Sequence, residues 1–205
     1  MLEKEKMLAG KIYDPSDGYL SLRRVEAHKL CKKYNDSFED ETEKRNAILN
    51  ELLPNRDKGA FLQGPIYFDY GIFTRIGINF YANFNLTILD CCKVTIGNNV
   101  FIGPNTSILT PIHPLRYQDR NMRVKEEGTI FDYEYAKPIT IGDNCWIASN
   151  VTIIGGVYIG NGCVIGAGSV VTKNIPENSL AAGNPCKVIR EITMEDALEL
   201  KRDLF

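Results

Sequence analysis

The sequence lacks the features that mark several common classes of protein. No apolar run is long enough to cross a bilayer, and the opening MLEKEKMLAG has no apolar core of the kind that a secretion signal requires. Neither sign of charge predominates, because 24 Lys and Arg residues stand against 26 Asp and Glu residues, for a formal net charge of -2. We therefore expect a cytoplasmic protein with no electrostatic reason to bind nucleic acid or a membrane.

Paired cysteines are missing too. No two cysteines form a C-x-x-C pair of the type that binds structural zinc, and disulfides are disfavoured in a reducing cytosol. We therefore predict that most of the thiols are buried and unreactive. The cysteines are Cys31, Cys91, Cys92, Cys145, Cys163 and Cys186.

The first 60 residues predict helices. Between residues 17 and 34, apolar side chains recur at three- and four-residue steps opposite charged ones, which is typical of an amphipathic helix. Asp40 and Glu43 resemble a capping box ahead of a second apolar stripe, which Pro54 closes. Because such helices have too little apolar area to stand alone, we expect residues 1–60 to pack on the main domain.

A six-residue repeat dominates the second half of the chain. Every sixth position from residue 141 is aliphatic, and this column consists of Ile141, Ile147, Ile153, Ile159, Ile165 and Val171. The position two residues before each column residue carries a small or medium side chain, from Ile139 to Ser169. A short coil cannot bury such a row alone, so neighbouring coils must stack and the ends must be capped.

An earlier run carries the same repeat in a different phase. It passes through Ile96, Ile102 and Ile108, and the interval from Ile96 to Ile141 is not a multiple of six. The segment between the two runs, residues 110–137, must therefore leave the regular stack as an excursion loop.

Several segments together resemble a known family. The hexads VTIGNNVFIGPNTSI and ITIGDNCWIASNVTIIGGVYIGNGCVIGAGSVV, followed by AAGNPCKVIR, are similar to the left-handed parallel β-helix of hexapeptide-repeat acyltransferases. The segments MLAGKIYDPSD, FYANFNLTILD and ILTPIHPLR narrow the resemblance to the maltose, galactoside and nodulation-factor sugar acetyltransferases. The left-handed sense rests on this resemblance, because the general chirality rule favours right-handed crossovers.

The resemblance implies both a fold and an activity. The fold is dominated by β-structure, with an N-terminal helical region over 1–60, the left-handed β-helix over 61–190 and a short C-terminal helix within 191–205. The activity is transfer of an acetyl group from acetyl-CoA to a hydroxyl of a maltose-, glucose- or galactoside-type sugar. The resemblance further implies a homotrimer with its active sites between neighbouring β-helices.

Acetyl transfer to a sugar requires a base, because an alcohol is a weak nucleophile at neutral pH. Histidine suits this role, and positioned general-base catalysis contributes roughly 10²- to 10⁴-fold. His113 lies between Pro111 and Pro114, where the loop leaves the coil, and TPIHPLR matches the position of the family's catalytic histidine. The other histidine, His28, lies on a charged helical stretch, where a solvated or packed side chain is the ordinary interpretation.

Two further residues are candidates for the chemical step. A carboxylate can orient the second ring nitrogen of a histidine base, and Glu134 at the end of the loop is our candidate, with a solvated glutamate as the alternative. The oxyanion that forms on the thioester carbonyl needs a fixed donor, and Asn83 matches the family position for it. The alternative for Asn83 is an asparagine ladder within the β-helix, since Asn85, Asn98 and Asn99 lie nearby in the sequence.

The resemblance also points to polar residues for the acceptor sugar. These are Asp17, Arg24, Asp69, Tyr81 and Asp90. In place of an acid followed by Pro-Glu-Leu, this chain has Asp17 followed by Gly-Tyr-Leu, so Asp14 and Asp17 compete for one role. Cys91 replaces a second acid of the galactoside-type relatives, which puts a preference for galactosides in doubt.

Coenzyme A has a long pantetheine arm and several phosphates. Small residues on a coil edge expose backbone groups to the arm, and cations suit the phosphates. Trp146 is expected to pack beside the CoA groove, with a capping or core role as the alternative. The family positions for CoA correspond to Trp146, Ala148, Ser149, Ala167, Gly168, Thr172, Lys173, Lys187 and Arg190.

The alternatives differ in chemistry. A covalent acetyl-enzyme on Cys91 or Cys92 is disfavoured against direct transfer, because no neighbouring residue in the sequence supplies a base for the thiol. A metal-dependent hydratase of this fold would need three histidines where the chain has two, so no metal is expected. An acetyltransferase for a non-sugar or amino acceptor and a non-catalytic binding module remain as alternatives, and the last would release no thiol from acetyl-CoA.

Overall fold

The computed structural model describes residues 1–201 and begins with helices. The helices of the N-terminal region are α1 (Glu3–Leu8), α2 (Gly18–Asn35) and α3 (Thr42–Leu52). Helix α2 begins at Asp17, whose carboxylate accepts hydrogen bonds from the N–H groups of Tyr19 and Leu20 and so caps the helix. It buries the face that contains Ala27, Cys31 and Tyr34, and this face packs against α3 and the start of the β-structure.

The predicted capping box of the next helix is wrong. Helix α3 begins after Glu41, and no side chain caps its first turn. The carboxylate of Glu41 instead accepts a hydrogen bond from the N–H of Phe38 and contacts the ammonium of Lys44. The helix therefore starts without the capping box expected from Asp40 and Glu43.

Short strands make up the rest of the chain. In chain order they are β1 (Phe61–Leu62), β2 (Ile66–Phe68), β3 (Thr74–Ile76), β4 (Tyr81–Ala82), β5 (Leu86–Leu89), β6 (Val94–Ile96), β7 (Phe101–Ile102), β8 (Ser107–Leu109), β9 (Pro111–Ile112), β10 (Arg123–Val124), β11 (Ile130–Phe131), β12 (Tyr135–Ala136), β13 (Ile139–Ile141), β14 (Trp146–Ile147), β15 (Thr152–Ile154), β16 (Tyr158–Ile159), β17 (Val164–Ile165), β18 (Val170–Val171), β19 (Ser179–Ala182) and β20 (Lys187–Glu191). A helical turn, α4 (Tyr117–Arg120), lies between β9 and β10.

Three sheets form the sides of a β-helix of about six turns. The four-stranded sheet has the order β16-β13-β6-β3, the five-stranded sheet β18-β15-β8-β5-β2, and the seven-stranded sheet β1-β4-β7-β14-β17-β19-β20. The chain visits the three sheets in turn, so each coil adds one parallel strand to each side. The parallel β-helix of hexapeptide repeats is confirmed.

The aliphatic column fills the interior of this β-helix. None of the six side chains from Ile141 to Val171 is more than 1% exposed. Ile96 pairs with Ile141 across adjacent strands, and Ile141 pairs with Ile159 one coil further on. Burial of each such side chain contributes about 1.5–3 kcal/mol, so the column is a principal source of stability.

Asparagines occupy corners of the β-helix. Asn79, Asn99 and Asn144 all have positive φ angles, of 57°, 53° and 59°. The amide of Asn79 donates to Oδ1 of Asn99 at 3.1 Å, and that of Asn99 donates to Asn144 at 3.2 Å. The asparagine ladder considered as an alternative for Asn83 therefore exists, but Asn83 is not among the residues that form these bonds.

The chain leaves the stack between β8 and β13. Strand β9 pairs with β12 in antiparallel fashion, and the N–H of Lys137 donates to the carbonyl of Thr110 at 3.0 Å, which closes the base of the loop. Within the loop, β10 and β11 form an antiparallel hairpin. The excursion loop is therefore folded and lies against the β-helix at a defined place.

The end of the described chain differs from the expected helix. Strand β20 pairs with β19 in antiparallel fashion, and two 3-10 turns follow, at Met194–Asp196 and Leu198–Leu200. Neither turn has a buried residue, so no apolar face holds a longer helix against the domain. Residues 202–205, where the expected helix would continue, lie outside the described residues.

None of the helices found in residues 1–201 has both the length and the apolar character that crossing a membrane requires.

Candidate active site

An open cavity of about 420 Å³ lies where the excursion loop meets helix α2 and the five-stranded sheet. Asp69, Cys91 and His113 line it. Asp69 follows β2, Cys91 lies shortly after β5, and His113 follows β9, which continues the chain from β8. Strands β2, β5 and β8 are adjacent and parallel, with Phe68, Ile88 and Ile108 in register. Their carboxyl ends therefore meet at one edge of the sheet and bring the three side chains together.

His113 faces two carboxylates in this cavity. Its Nδ1 lies 3.4 Å from Oδ2 of Asp132, and its Nε2 lies 4.0 Å from Oε1 of Glu134. Ile112 pairs with Tyr135 in the antiparallel ladder, so the next step of the register sets His113 opposite Glu134. About half of the imidazole is exposed, which leaves it accessible from the cavity.

Asp132 is a site residue that the sequence argument missed. It is buried, and it lies closer to the imidazole than Glu134, which was the predicted orienting partner. The Asp132 carboxylate beside Nδ1 favours the tautomer with the proton on that nitrogen, which leaves the lone pair of Nε2 free to accept a proton. The signal available in the sequence was the spacing of Asp132 and Glu134, because residues two apart on an extended chain point to the same side.

Tyr13 holds Glu134 in place. Its hydroxyl donates to Oε2 of Glu134 at 2.6 Å, and its backbone N–H donates to the carbonyl of Glu134 at 2.9 Å. Burial raises the pKa of Tyr13 well above its usual value, so the hydroxyl stays a neutral donor. Because Tyr13 and Glu134 are 121 positions apart, the sequence around either residue does not predict this contact.

Arg24 and Asp69 form the opposite wall of the cavity. The guanidinium of Arg24 donates to the hydroxyl of Tyr70 at 3.2 Å and to the carbonyl of Pro15 at 3.4 Å. The thiol of Cys91 donates to Oδ2 of Asp69 at 3.5 Å. A cation and a carboxylate at this wall are suited to the hydroxyls of a sugar.

The cysteines are buried, as predicted, and this holds for all six of them. Burial raises the pKa of Cys91, with the Asp69 carboxylate as the next cause, and burial also raises the pKa of Cys92. A high pKa disfavours the thiolate, which is the nucleophilic form. The structure therefore gives no support to an acetyl-enzyme on either thiol.

Asp90 is not available to an acceptor, so its predicted sugar contact is wrong. It is fully buried, and its carboxylate accepts hydrogen bonds from the N–H groups of Tyr70, Gly71 and Phe73 and from the hydroxyl of Thr74. Burial raises the pKa of Asp90 to about 6. The side chain has a structural role, because every hydrogen bond it makes fixes the chain between β2 and β3.

The two acids that competed for the N-terminal sugar contact are both engaged elsewhere. Asp17 caps helix α2. Asp14 lies 2.5 Å from the ammonium of Lys125 and accepts hydrogen bonds from Ser16, and these contacts lower the pKa of Asp14 against the opposing effect of burial. Neither acid lines the cavity, which Pro15 and Ser16 reach between them.

Tyr81 and Asn83 lie away from the cavity of their own chain. Strand β4, which contains Tyr81 and precedes Asn83, belongs to the seven-stranded sheet. The Tyr81 ring lies 6.0 Å from that of Phe61 and 6.1 Å from that of Phe101, and Trp146 follows Phe101 on the next strand. These side chains form an outward aromatic column, defined as Phe61, Tyr81, Phe101 and Trp146.

The small residues predicted to contact CoA stack at one edge of the β-helix. The N–H of Gly168 donates to the carbonyl of Ser149 at 2.9 Å, so Ala148 and Ser149 lie beside Ala167 and Gly168 of the next coil. A Cβ added to the neighbouring Gly103 would lie 2.7 Å from the backbone of Ala148, which shows how closely the coils approach. Ala167 and Gly168 are exposed at this edge, and Ala148 and Ser149 are partly exposed.

The predicted phosphate contacts lie further towards the C-terminus. Thr172, Lys173 and Lys187 are exposed. Arg190 is also exposed, but its guanidinium pairs with both oxygens of Asp196 at 2.6 and 2.7 Å. To bind a phosphate, Arg190 would therefore have to break its ion pair with Asp196.

Three donor atoms in the cavity lie close enough to share a cation. His113, Asp132 and Glu134 each place one such atom within 4.8 Å of the others. Glu134 already accepts the hydroxyl of Tyr13 on one oxygen. A metal ion bound to these three atoms would compete with a proton for the imidazole.

Comparison with known proteins adds independent information. The family model of the maltose acetyltransferase hexapeptide capping motif matches residues 6–56. The model of the bacterial transferase hexapeptide matches residues 138–173, and that of the hexapeptide repeat of succinyl-transferase matches residues 93–113. The galactoside O-acetyltransferase of Escherichia coli K12 is 43% identical over 192 residues, which are 94% of this chain and 90% of that protein.

Solved structures agree with these matches. A galactoside acetyltransferase in complex with coenzyme A superimposes with a TM-score of 0.86 at 43% identity, over 96% of this chain and 94% of that one. A maltose O-acetyltransferase from Clostridium difficile 630 superimposes with a TM-score of 0.84 at 44% identity, over 94% of this chain and 98% of that one.

Proposed function

This chain belongs to the maltose and galactoside O-acetyltransferase family of hexapeptide-repeat acyltransferases, and on that premise we propose that His113 is the general base of its reaction. The chain is an acetyl-CoA-dependent sugar O-acetyltransferase. The observation that carries the proposal is the position of His113 in an open cavity, with Asp132 at 3.4 Å from Nδ1 and with Nε2 available to an acceptor.

We propose that the acetyl group is transferred directly, without an acetyl-enzyme. A sugar hydroxyl in the cavity gives its proton to Nε2 of His113 while its oxygen attacks the thioester carbonyl of acetyl-CoA. The new C–O bond forms, the C–S bond breaks, and the imidazolium returns the proton to the departing thiolate. Asp132 and Glu134 stabilise the imidazolium while it is charged.

Acetyl-CoA is the donor substrate. The relative solved with coenzyme A supports this, as does the edge of small residues that contains Ala148, Ser149, Ala167 and Gly168. We propose that the pantetheine arm lies along this edge and that Lys173 and Lys187 contact the phosphates. Trp146 is exposed beside the same edge and can cover the arm.

A homotrimer would complete the site. Asn83 is the proposed oxyanion donor, yet it does not line the cavity of its own chain. The outward aromatic column is exposed at Phe101 and Trp146, each 54%, which is a large apolar area for a free surface. We propose that this column packs against a neighbouring β-helix in a cytoplasmic trimer and brings Asn83 and Tyr81 to the neighbour's His113.

The activity is tested by the release of free CoA from acetyl-CoA across a panel of mono- and disaccharides, with the product identified by NMR. We expect thiol release that depends on a sugar and yields an O-acetyl ester. Release with amines alone would favour an amino acceptor. Absence of release with every acceptor would favour a non-catalytic binding module and overturn the proposal.

A further inference from the structure

A second cavity adjoins that of His113. It has a volume of about 320 Å³ and lies between helix α2 and the five-stranded sheet. Asp69 and Leu89 line both cavities, so the two spaces meet along a shared wall. A ligand that fills both cavities would therefore pass beside Asp69.

Asp69 faces both spaces with different oxygens. Its Oδ2 accepts the thiol of Cys91, which lines the first cavity. Its Oδ1 lies 3.6 Å from Nε2 of His28, which lines the second. The carboxylate can therefore accept hydrogen bonds from two parts of one ligand.

Helix α2 runs past both cavities. Arg24 lines the first and His28 the second, and residues four apart lie on the same face of a helix. Because a helix rises about 1.5 Å per residue, about 6 Å separates the two contacts along the axis. Contacts at this separation suit a ligand made of two linked units, one in each cavity, better than a ligand with a single bulky unit.

The chemistry of the second cavity is partly apolar and uncharged overall. Its floor contains the buried side chains of Cys31 and Phe68, and the ring of Tyr67 is 48% exposed at its rim. Two other polar side chains at this cavity have partners already, because Asn35 bonds the backbone of Ile66 and Lys32 bonds Asp36. An aromatic face, an imidazole and a carboxylate therefore remain to meet a ligand.

These properties fit a sugar ring. A pyranose has an apolar C–H face that can lie on the Tyr67 ring and hydroxyls that can bond His28 and Asp69. We propose that the second cavity binds the second ring of an oligosaccharide acceptor while the first holds the ring that is acetylated. This inference rests on the proposed function, because it assigns a subsite to the same acceptor.

The test compares acceptors that differ by one ring. With the full chain in its native assembly, kcat/KM is measured for the best monosaccharide and for disaccharides that extend it through α and β linkages. We expect one disaccharide to exceed the monosaccharide, and Tyr67→Ala to lower kcat/KM for that disaccharide by about tenfold while the monosaccharide loses much less. Tyr67→Phe keeps the ring and should retain the preference, and Phe38→Ala, an exposed aromatic that lines neither cavity, serves as the control.

Each other outcome overturns the subsite. Equal losses for both acceptors with Tyr67→Ala would assign Tyr67 to general stability, which a thermal unfolding curve would register. A preference for aryl glycosides without one for disaccharides would show that the cavity takes an apolar aglycone and no sugar ring. Failure of the proposed function itself looks different, since wild-type protein would then release no CoA with any sugar.

Discussion

His113 depends on three other residues for its role. The antiparallel pairing of β9 with β12 sets it opposite Glu134, Asp132 contacts its Nδ1, and Tyr13 fixes Glu134 from the far side. Two of these partners, Asp132 and Tyr13, were not predicted from the sequence. Asp132 stands in none of the segments that carry the family resemblance, and Tyr13, although it lies in the MLAGKIYDPSD segment, meets the loop through tertiary contact alone.

Removal of the charge on Asp132 tests this arrangement. Asp132→Asn keeps the size of the side chain but can donate to Nδ1, which favours the tautomer with the proton on Nε2. We expect kcat to fall by about 10²-fold, with KM for the acceptor changed by no more than severalfold. Steady-state kinetics measures both, with Asp119→Asn on the exposed turn α4 as the control. A value of kcat within twofold of wild type would remove Asp132 from the mechanism.

At the scale of elements, Asp90 connects the end of β5 to the chain that precedes β3. Its carboxylate accepts hydrogen bonds from Tyr70, Gly71, Phe73 and Thr74, and burial raises the pKa of Asp90 from 3.8 to about 6. Because the pKa of the folded state is the higher one, protonation favours folding. The stability from this group is complete below pH 3.8 and is lost as the pH rises through about 6.

Asp90→Asn removes this titration. We expect the free energy of unfolding of wild type, relative to the variant, to rise by up to about 3 kcal/mol between pH 7 and pH 4. Urea unfolding at a fixed protomer concentration measures the free energy of unfolding of both proteins at each pH. The other acids titrate alike in both, so their contribution cancels when one value is subtracted from the other. A difference that does not change with pH would show that burial does not raise the pKa of Asp90.

The repeat and the loop differ in how far the sequence predicts them. The column from Ile141 to Val171 repeats one local environment, so periodicity alone predicts that its side chains face inward. The phase change predicts that residues 110–137 leave the stack, but their hairpin, their turn and the contact with Tyr13 depend on one particular packing. The burial of Asp90 was not predicted either, because sequence similarity identifies the matching position in a family but does not show whether its side chain is exposed.

At the scale of the whole molecule, the residues of the proposed site lie in two separate places on one chain. The cavity contains His113 and its carboxylates, whereas Asn83 and Tyr81 lie on the seven-stranded sheet beside the outward aromatic column. Periodicity predicts a β-helix with exposed sides and gives no reason for three copies. The trimer was inferred from resemblance, and the exposed aromatic column now gives a physical argument for it.

Disruption of the aromatic column should dissociate the assembly. Phe101→Glu introduces a charge at its centre, where an apolar interface would have to desolvate it. We expect wild-type protein at three times 23.1 kDa by light scattering, and the variant at the mass of one chain with little activity. Phe38→Glu, exposed outside the column, should stay trimeric and active. A wild-type monomer with full activity would refute the shared site.

The most direct test of the account is the turnover of His113→Ala with acetyl-CoA and the best sugar acceptor. Loss of the general base should lower kcat by about 10²- to 10⁴-fold, with folding and assembly retained. Leu115→Ala, an exposed side chain two positions away in the same loop, should leave turnover within twofold of wild type. If His113→Ala instead retains turnover within a few-fold of wild type, His113 is not the base and the proposed mechanism is wrong.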